Sequence, residues 1–436
     1  MEIIEKLKNK NVRFVEMWFT DIVGNAKSFS ITIDELKDAI ANGKGFDGSS
    51  IQGFTRIHES DMVAKPDLTT LQIFPWGDRK NRVARVFCDI QNPDGTPYEG
   101  DPRYVLKRNL EKAKDMGFSF YVGPEMEFFY FISSQKTEVL DRGGYFDLTP
   151  PDIGDELRRK TIIALQEMGI PVEYSHHEVA PSQHEIDLRY DEALRMADNV
   201  ISFKYIVKEI AQQNGYFASF MPKPIFGANG SGMHTHQSLF SDDKNEFFSD
   251  KEPYYLSHNA KRFISGLLRF SKEITLVTNQ WVNSYKRIVP GFEAPVYVTW
   301  ACRNRSTLIR IPQYKPGKEK STRVEYRSPD PAANPYLAFS VMLRAGLSGI
   351  ENAFELPPPN EENIYTLNKQ EIKNKKIQLL PGSLNEAIKE TEKSEMVREA
   401  LGNHIFNTLI ENKKRIWEQY RSHITSYELK HDLPIL

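Results

Sequence analysis

Glu125 and Glu127, in the run Gly123-Pro124-Glu125-Met126-Glu127-Phe128-Phe129, stand two residues apart. In an extended segment that spacing puts both carboxylates on one face. The solvated face of an edge strand accounts for many isolated pairs of this kind. Here Phe128-Phe129-Tyr130-Phe131-Ile132 is apolar on both faces and argues for a central strand. Two unpaired carboxylates in such a strand repel one another and are costly to bury, so a cation is their natural partner. A second cluster, Glu173 to Glu185, brings Glu173, Glu178 and Glu185 together with His176, His177 and His184. Pro181 interrupts any helix there and leaves a strand, turn, strand arrangement, with a solvated loop as the alternative for this stretch alone.

Gly227-Ala228-Asn229-Gly230-Ser231-Gly232-Met233-His234-Thr235-His236 leads a glycine-rich backbone directly into two histidines on one strand face. Glycines at that density let backbone amides approach a phosphate or carboxylate, although a lone glycine-rich loop is weak evidence. Between Lys286 and Arg327 ten Lys or Arg (286, 287, 303, 305, 310, 315, 318, 320, 323 and 327) face three Glu (293, 319 and 325), a local surplus of seven positive charges. A solvated face or a nucleic-acid patch is the ordinary meaning of a basic run. Here the arginines alternate with strand formers, in Leu308-Ile309-Arg310-Ile311 and Arg323-Val324-Glu325-Tyr326-Arg327. Arginines interleaved with Glu along a strand suit a polyphosphate site that also holds metal.

These groups need a scaffold. The first hundred residues read as a small α+β domain, with strands at Val12 to Phe19 and Arg82 to Ile90 around a helix at about Ile33 to Ala41. Asn92-Pro93-Asp94-Gly95-Thr96-Pro97 and Gly100-Asp101-Pro102 form a cluster of breakers, which predicts domains of 1–101 and 102–436. Asp101 suits an N-cap with Pro102 at the first helical position. Beyond it, helices are predicted at about Asp155 to Met168, Asp191 to Asn214, Ala260 to Asn279 and Asn334 to Ile350, with helical sequence from Ser383 to Ser422 packed on the larger domain.

The whole is 436 residues with 40% apolar and 27% charged composition, which excludes disorder and supports two or three domains. Lys plus Arg number 57 and Asp plus Glu 59, so a formal net charge of -2 offers no global attraction to nucleic acid or anionic lipid. Cys88 and Cys302 are the only cysteines, too few for a disulfide framework, and neither lies in a zinc-binding pattern. The charged N-terminal twenty residues and the lack of an 18-residue apolar run predict a soluble, cytoplasmic, unprocessed protein.

Six motifs taken together resemble the glutamine synthetases of the bacterial and archaeal class I type: Phe46-Asp47-Gly48-Ser49-Ser50-Ile51, Gly123 to Phe128, His176-His177-Glu178, Asn229 to His234, Asn283 to Pro295, and Arg323 to Arg327. The resemblance covers essentially the whole chain. It implies an N-terminal β-grasp domain and a catalytic domain whose curved antiparallel sheet, surrounded by helices, forms a funnel open to ATP at one end and glutamate at the other.

By the same resemblance one divalent ion is held by Glu127, Glu178 and Glu185, and a second by Glu125, His234 and Glu325. Oxygen-rich ligation fits Mg²⁺ or Mn²⁺. ATP is matched to Glu173, Tyr190, His236, Ser238, Arg305, Arg310, Lys320 and Arg323, and glutamate to Asn229, Gly230, Arg287, Glu293 and Arg327. Asp47, Ser50, Tyr145, Glu178 and Glu293 match the ammonium site, with Asp47 as base, Glu293 on a closing loop and Arg305 at the phosphoryl group. The implied reaction is ATP-dependent ligation of ammonia to the γ-carboxylate of L-glutamate through γ-glutamyl phosphate. Ligation of a polyamine to glutamate is the alternative within the fold, but those relatives tend to lose the ammonium-site acids that are present here. A regulatory or structural protein on the same fold would have lost metal ligands.

The implied assembly is a homododecamer of two stacked hexamers, with Asp47 and Ser50 serving the neighbouring subunit and the apolar end His431 to Leu436 as a strap between rings. Asn363-Ile364-Tyr365-Thr366-Leu367-Asn368-Lys369 lacks the Asn-Leu-Tyr-Asp-Leu-Pro-Pro-Glu context of adenylylated members, so Tyr365 is expected to be unmodified and the chain resembles the shorter alpha division. In that division Arg56 is the candidate for feedback by glutamine. A nitrogen-regulatory protein is left open as a further partner.

Overall fold

Strand-forming sequence at the N-terminus builds a mixed sheet in the order Ala26–Thr32, Val12–Thr20, Arg82–Gln91, Asp61–Pro66, Lys44–Asp47, with Gln72–Ile73 added to Arg82–Gln91. A computed structural model of the chain describes residues 2–51, 53, 61–148, 152–290, 294–367, 369–375 and 377–436. Neighbours in this first sheet run antiparallel except Val12–Thr20 and Arg82–Gln91, which are parallel. Leu36 and Ala39 of the helix Leu36–Asn42 are buried in its core beside Val15, Met17, Val86 and Cys88, which gives the β-grasp arrangement.

The larger sheet runs Gln378–Leu379, Tyr297–Ala301, Thr307–Arg310, Val324–Tyr326, Thr235–Ser241, Ser119–Phe131, Gln183–Leu188, Val172–His177. Its pairings are antiparallel apart from Tyr297–Ala301 with Thr307–Arg310, a parallel exception to the expected pattern. From Met126 to Phe131 the central strand is buried on both faces, Glu127 included, as the unbroken apolar run from Phe128 requires. Two long helices, His258–Thr278 and Pro335–Glu351, lie in close contact behind the sheet. Glycine makes that approach feasible: a Cβ on Gly266 would stand 2.1 Å from the Ala345 carbonyl oxygen, and one on Gly349 2.0 Å from that of Arg262. Among the described residues no helix is long and apolar enough to cross a membrane.

Asp101 caps the helix Pro102–Asp115 by accepting from the Arg103 amide, with Pro102 in the first turn as its sequence predicts. Arg103 then anchors the first sheet to the rest of the molecule. Its guanidinium is buried and donates twice to Asp198 (3.0 and 2.9 Å), and also to Asp89 (2.5 Å) and Asp67 (2.7 Å). Tyr336 donates its hydroxyl to the same Asp198. Removing the cation leaves buried carboxylates uncompensated, so Arg103→Ala is expected to lower stability by about 3–5 kcal/mol. Denaturant unfolding measures this, and Arg103→Lys, which keeps the charge but loses the planar fork, should recover only part of it.

Candidate active site

The central strand Ser119–Phe131 pairs with Gln183–Leu188 so that Glu125 stands opposite Asp187 and Glu127 opposite Glu185. Each strand spaces its two acids by two residues, so four carboxylates gather on one face of the sheet. Like charges directly opposite one another oppose pairing. Burial, reinforced by the charge of Glu178, pushes the Glu127 carboxyl well above the usual range. Burial with the charge of Asp187 does the same to Glu185. Asp187 is pushed up to about 6 chiefly by burial.

Histidines offset part of this charge. Burial works against ionisation of Glu125, yet His236 and His234 hold its carboxyl well below the usual range. His236 Nε2 lies 2.7 Å from one Glu125 oxygen and His234 Nδ1 3.0 Å from the other. His176 Nε2 lies 2.9 Å from Glu178, and against the effect of burial this contact lowers the Glu178 carboxyl. Glu325 is fully buried between Arg310, which donates through Nε, and Arg327, whose Nη1 donates over 2.7 Å; despite burial, Arg327 holds its carboxyl down.

Two of the three groups of side chains that, among the described residues, have ligand atoms mutually within 4.8 Å lie here: Glu125, His234 and Glu325, and His176, Glu178 and Glu185. The first is the trio expected from the sequence. In the second, His176 stands with Glu178 and Glu185, while Glu127 borders the other group, 4.0 Å from His234 Nδ1. Glu127 is itself held by Gln183 Nε2 (2.9 Å) and the Gly232 amide (3.0 Å). Oxygen-rich donors, among which the Glu127 and Glu185 carboxyls are driven upward by burial and neighbouring negative charge, fit divalent cations, which would relieve both effects.

Two cavities meet at these carboxylates. One, of about 340 Å³, is lined by Glu173, Tyr190, His236, Ser238, Lys320 and Arg323, six of the eight positions matched to ATP, together with Tyr121, Asp187 and Arg189. Arg323 Nε donates to His236 Nδ1 over 3.2 Å. The other, of about 290 Å³, is lined by Glu127, Glu178 and Glu185, by Asn229 and Gly230, and by Arg287, Arg305, Arg310 and Arg327. Glu125 and Tyr174 line both. Arg305 and Arg310, grouped with the nucleotide positions in the sequence, thus border the second cavity. The Arg287 guanidinium is fixed by the carbonyl oxygens of Arg327 (3.2 Å) and Ser328 (2.7 Å). Beside it, a Cβ on Gly230 would stand 2.3 Å from the Pro222 carbonyl oxygen, a backbone contact that excludes other residues, and one on Gly232 would stand 2.5 Å from Arg287 Nη2 and push that guanidinium aside.

Tyr145 lines the second cavity; its hydroxyl is raised by burial and the charge of Glu178, and it hydrogen-bonds Arg305. Asp47 and Ser50 are not among the residues lining either cavity of their own chain; Asp47 ends the strand Lys44–Asp47 and accepts from the Ser49 amide (2.8 Å). Glu293 and Arg56 lie outside the described residues. Asp187 and Tyr174 were not singled out from the sequence, and His176 was named there only within its cluster and motif, with no ligand role. The same i, i+2 spacing that marked Glu125 and Glu127 recurs in Glu185-Ile186-Asp187 and could have marked Asp187.

The glutamine synthetase β-grasp domain matches residues 11–93 and the glutamine synthetase catalytic domain residues 99–431. The chain is 51% identical to the glutamine synthetase of Mycolicibacterium smegmatis over 99% of this chain and 98% of that one. It is 50% identical to that of Methanosarcina mazei over 100% and 98%. A cryo-EM structure of Plasmodium falciparum glutamine synthetase superimposes with a TM-score of 0.89 at 26% identity, covering 99% of this chain and 98% of that one. A complex of GmaS with ADP does so with a TM-score of 0.90 at 29% identity over 99% of each chain. With both domains matched and half of all positions shared along the full length of these relatives, the chain belongs to the glutamine synthetase family and carries out ATP-dependent glutamine synthesis.

Proposed function

We propose that ATP occupies the cavity of Tyr121, Lys320 and Arg323 and L-glutamate that of Asn229, Arg287 and Arg327, with phosphoryl transfer at their junction. The observation that carries this reading is the continuity of the two cavities through Glu125 and Tyr174. A glutamate carboxylate oxygen attacks the γ-phosphorus, ADP leaves, and γ-glutamyl phosphate forms. Arg305 and Arg310 counter the charge of the phosphoryl group, and Arg287 and Arg327 hold the glutamate carboxylates. Two divalent ions, Mg²⁺ or Mn²⁺, held by Glu127, Glu178 and Glu185 with His176 beside them and by Glu125, His234 and Glu325, would supply charge neutralisation.

Tyr145 and Glu178, joined by Glu293 and by Asp47 and Ser50 of a neighbouring subunit, bind ammonium. Asp47 takes its proton, ammonia attacks the acyl carbon, and phosphate leaves. The assembly is a dodecamer of two hexameric rings; exposed Tyr427, Leu429, Leu433, Ile435 and Leu436 support the inter-ring strap. The division between domains falls at 101/102, where Asp101 caps the following helix. The enzyme acts in the cytoplasm as a member of the alpha division, with an unmodified Tyr365 and with Arg56 mediating feedback by glutamine.

The test is formation of product from glutamate, ATP and either ammonium or a panel of amines, including polyamines. Ammonium is expected to exceed every amine by at least about a hundredfold in kcat/KM, since a pocket built of acids around a small cation excludes alkyl groups. Comparable rates with a polyamine would overturn the assignment of the acceptor.

A further inference from the structure

Consecutive residues of a strand face opposite sides, and His176 and His177 divide their work accordingly. His176 faces the site, 2.9 Å from Glu178, with the Tyr145 ring edge-on to it at 5.3 Å. His177 faces inward and is buried. Its Nδ1 lies 2.7 Å from the Glu178 carbonyl oxygen and its Nε2 2.8 Å from Asp141 Oδ1.

That single Asp141 oxygen also accepts from the Ser182 amide (3.0 Å) and the Gly143 amide (3.3 Å). Ser182, held at a φ of 59°, returns its hydroxyl oxygen to the amides of Leu140 (2.5 Å) and Asp141 (3.0 Å). The Phe146 amide closes the circuit by donating to the His177 carbonyl oxygen over 3.1 Å. The loop from Leu140 to Phe146, which carries Tyr145, is therefore fastened at both ends to the strand that leads into Glu178. The fit is close: a Cβ on Gly143 would stand 2.7 Å from His177 Nε2.

Asp141, Asp152, His177 and His184 are near enough to one another to chelate a cation, but Arg158 already fills that role. It pairs with both oxygens of Asp152 (3.0 and 2.6 Å) and lies 2.7 Å from His184 Nδ1. The cluster is a brace behind the site.

We propose that Asp141 is a positioning residue for acceptor binding: through His177 and Ser182 it sets the distance between Tyr145 and Glu178, and so governs capture of ammonium. The proposal rests on the reading of Tyr145 and Glu178 as part of the ammonium site. Because all three donors converge on one oxygen, an amide oxygen can replace it while a methyl group cannot.

The experiment compares steady-state kinetics of the assembled enzyme carrying Asp141→Ala, Asp141→Asn, Gly143→Ala or Tyr145→Phe. Asp141→Ala is expected to raise the KM for ammonium by about tenfold or more, with kcat at saturating ammonium falling less than about threefold and the KM for ATP changing less than about twofold. Asp141→Asn should return the ammonium KM to within about threefold of wild type. Gly143→Ala, which presses on the same contact from the loop, should reproduce the split if Asp141→Ala does not fold. The double variant Asp141→Ala/Tyr145→Phe should be no worse than Tyr145→Phe alone, since both act through one ring.

Parallel changes in the KM values for ammonium, ATP and glutamate, or failure of Asp141→Asn to rescue, would overturn the proposal in favour of a general structural role. If Tyr145→Phe raises the ammonium KM and Asp141→Ala does not, the ammonium site stands and the positioning role falls. If Tyr145→Phe leaves the ammonium KM unchanged, the reading of the site itself falls, and the proposal with it.

Discussion

Glu325→Gln is expected to abolish glutamine synthesis, leaving less than about a hundredth of wild-type turnover at saturating Mg²⁺ or Mn²⁺. Glu325 is fully buried, 3.9 Å from His234 Nδ1, and is gripped by two arginines. Neutralising it removes an anionic ligand of the proposed second ion and leaves two positive guanidinium groups uncompensated beside that position. Both changes weaken cation binding. Glutamine keeps the volume and an acceptor oxygen, so the fold should survive, and thermal unfolding of the variant beside wild type checks this. Glu325→Ala should be equally inactive but less stable, because it strands Arg310 and Arg327. Metal titration by calorimetry supplies an independent readout: the variant should lose one of two binding events. Turnover above a few per cent of wild type in a folded Glu325→Gln enzyme would contradict the ligand assignment.

The second large effect is recovery of activity from two dead proteins. Asp47→Ala removes the proposed base and Glu325→Ala a proposed metal ligand. If Asp47 serves the neighbouring subunit, the two lesions fall in separable halves of each site. After dissociation, mixing in equal amounts and reassembly, about a quarter of the interfaces in a head-to-tail ring unite an intact Asp47 with an intact metal site. Activity should rise from near zero to about a quarter of wild type. The absence of Asp47 and Ser50 from the lining of both cavities of their own chain motivates the experiment. A mixture shown by native mass spectrometry to have co-assembled, yet as inactive as its parents, would refute the shared site.

Local sequence pattern went a long way here. Asp101 and Pro102 announced a helix start through the orphan amides of a first turn, and that start was found at Pro102. Pro181 forced a reversal between Val172–His177 and Gln183–Leu188, and the glycines around Asn229 marked a backbone whose amides can approach a phosphate or carboxylate, as the Gly232 amide approaches Glu127. Glu125 and Glu127 pointed to a candidate cation site because two acids on an apolar central strand are costly to bury without compensating charge. These inferences need only the periodicity and stereochemistry of a few adjacent residues.

Three features depended on the tertiary structure. Strand register decided that Asp187 faces Glu125 and Glu185 faces Glu127, and a slip of one residue would have sent all the acids of one strand to the opposite face. Packing behind the sheet decided that of two adjacent histidines His176 meets Glu178 while His177 braces Asp141, a partner 36 residues earlier. The tertiary arrangement decided that Arg305 and Arg310 border the cavity of Asn229 rather than that of Lys320. Residue types and local spacing therefore determined which chemistry this protein carries. The arrangement of those groups into two joined cavities was decided by contacts between segments far apart in the chain, whose energies depend on register, burial and shape that no local window contains.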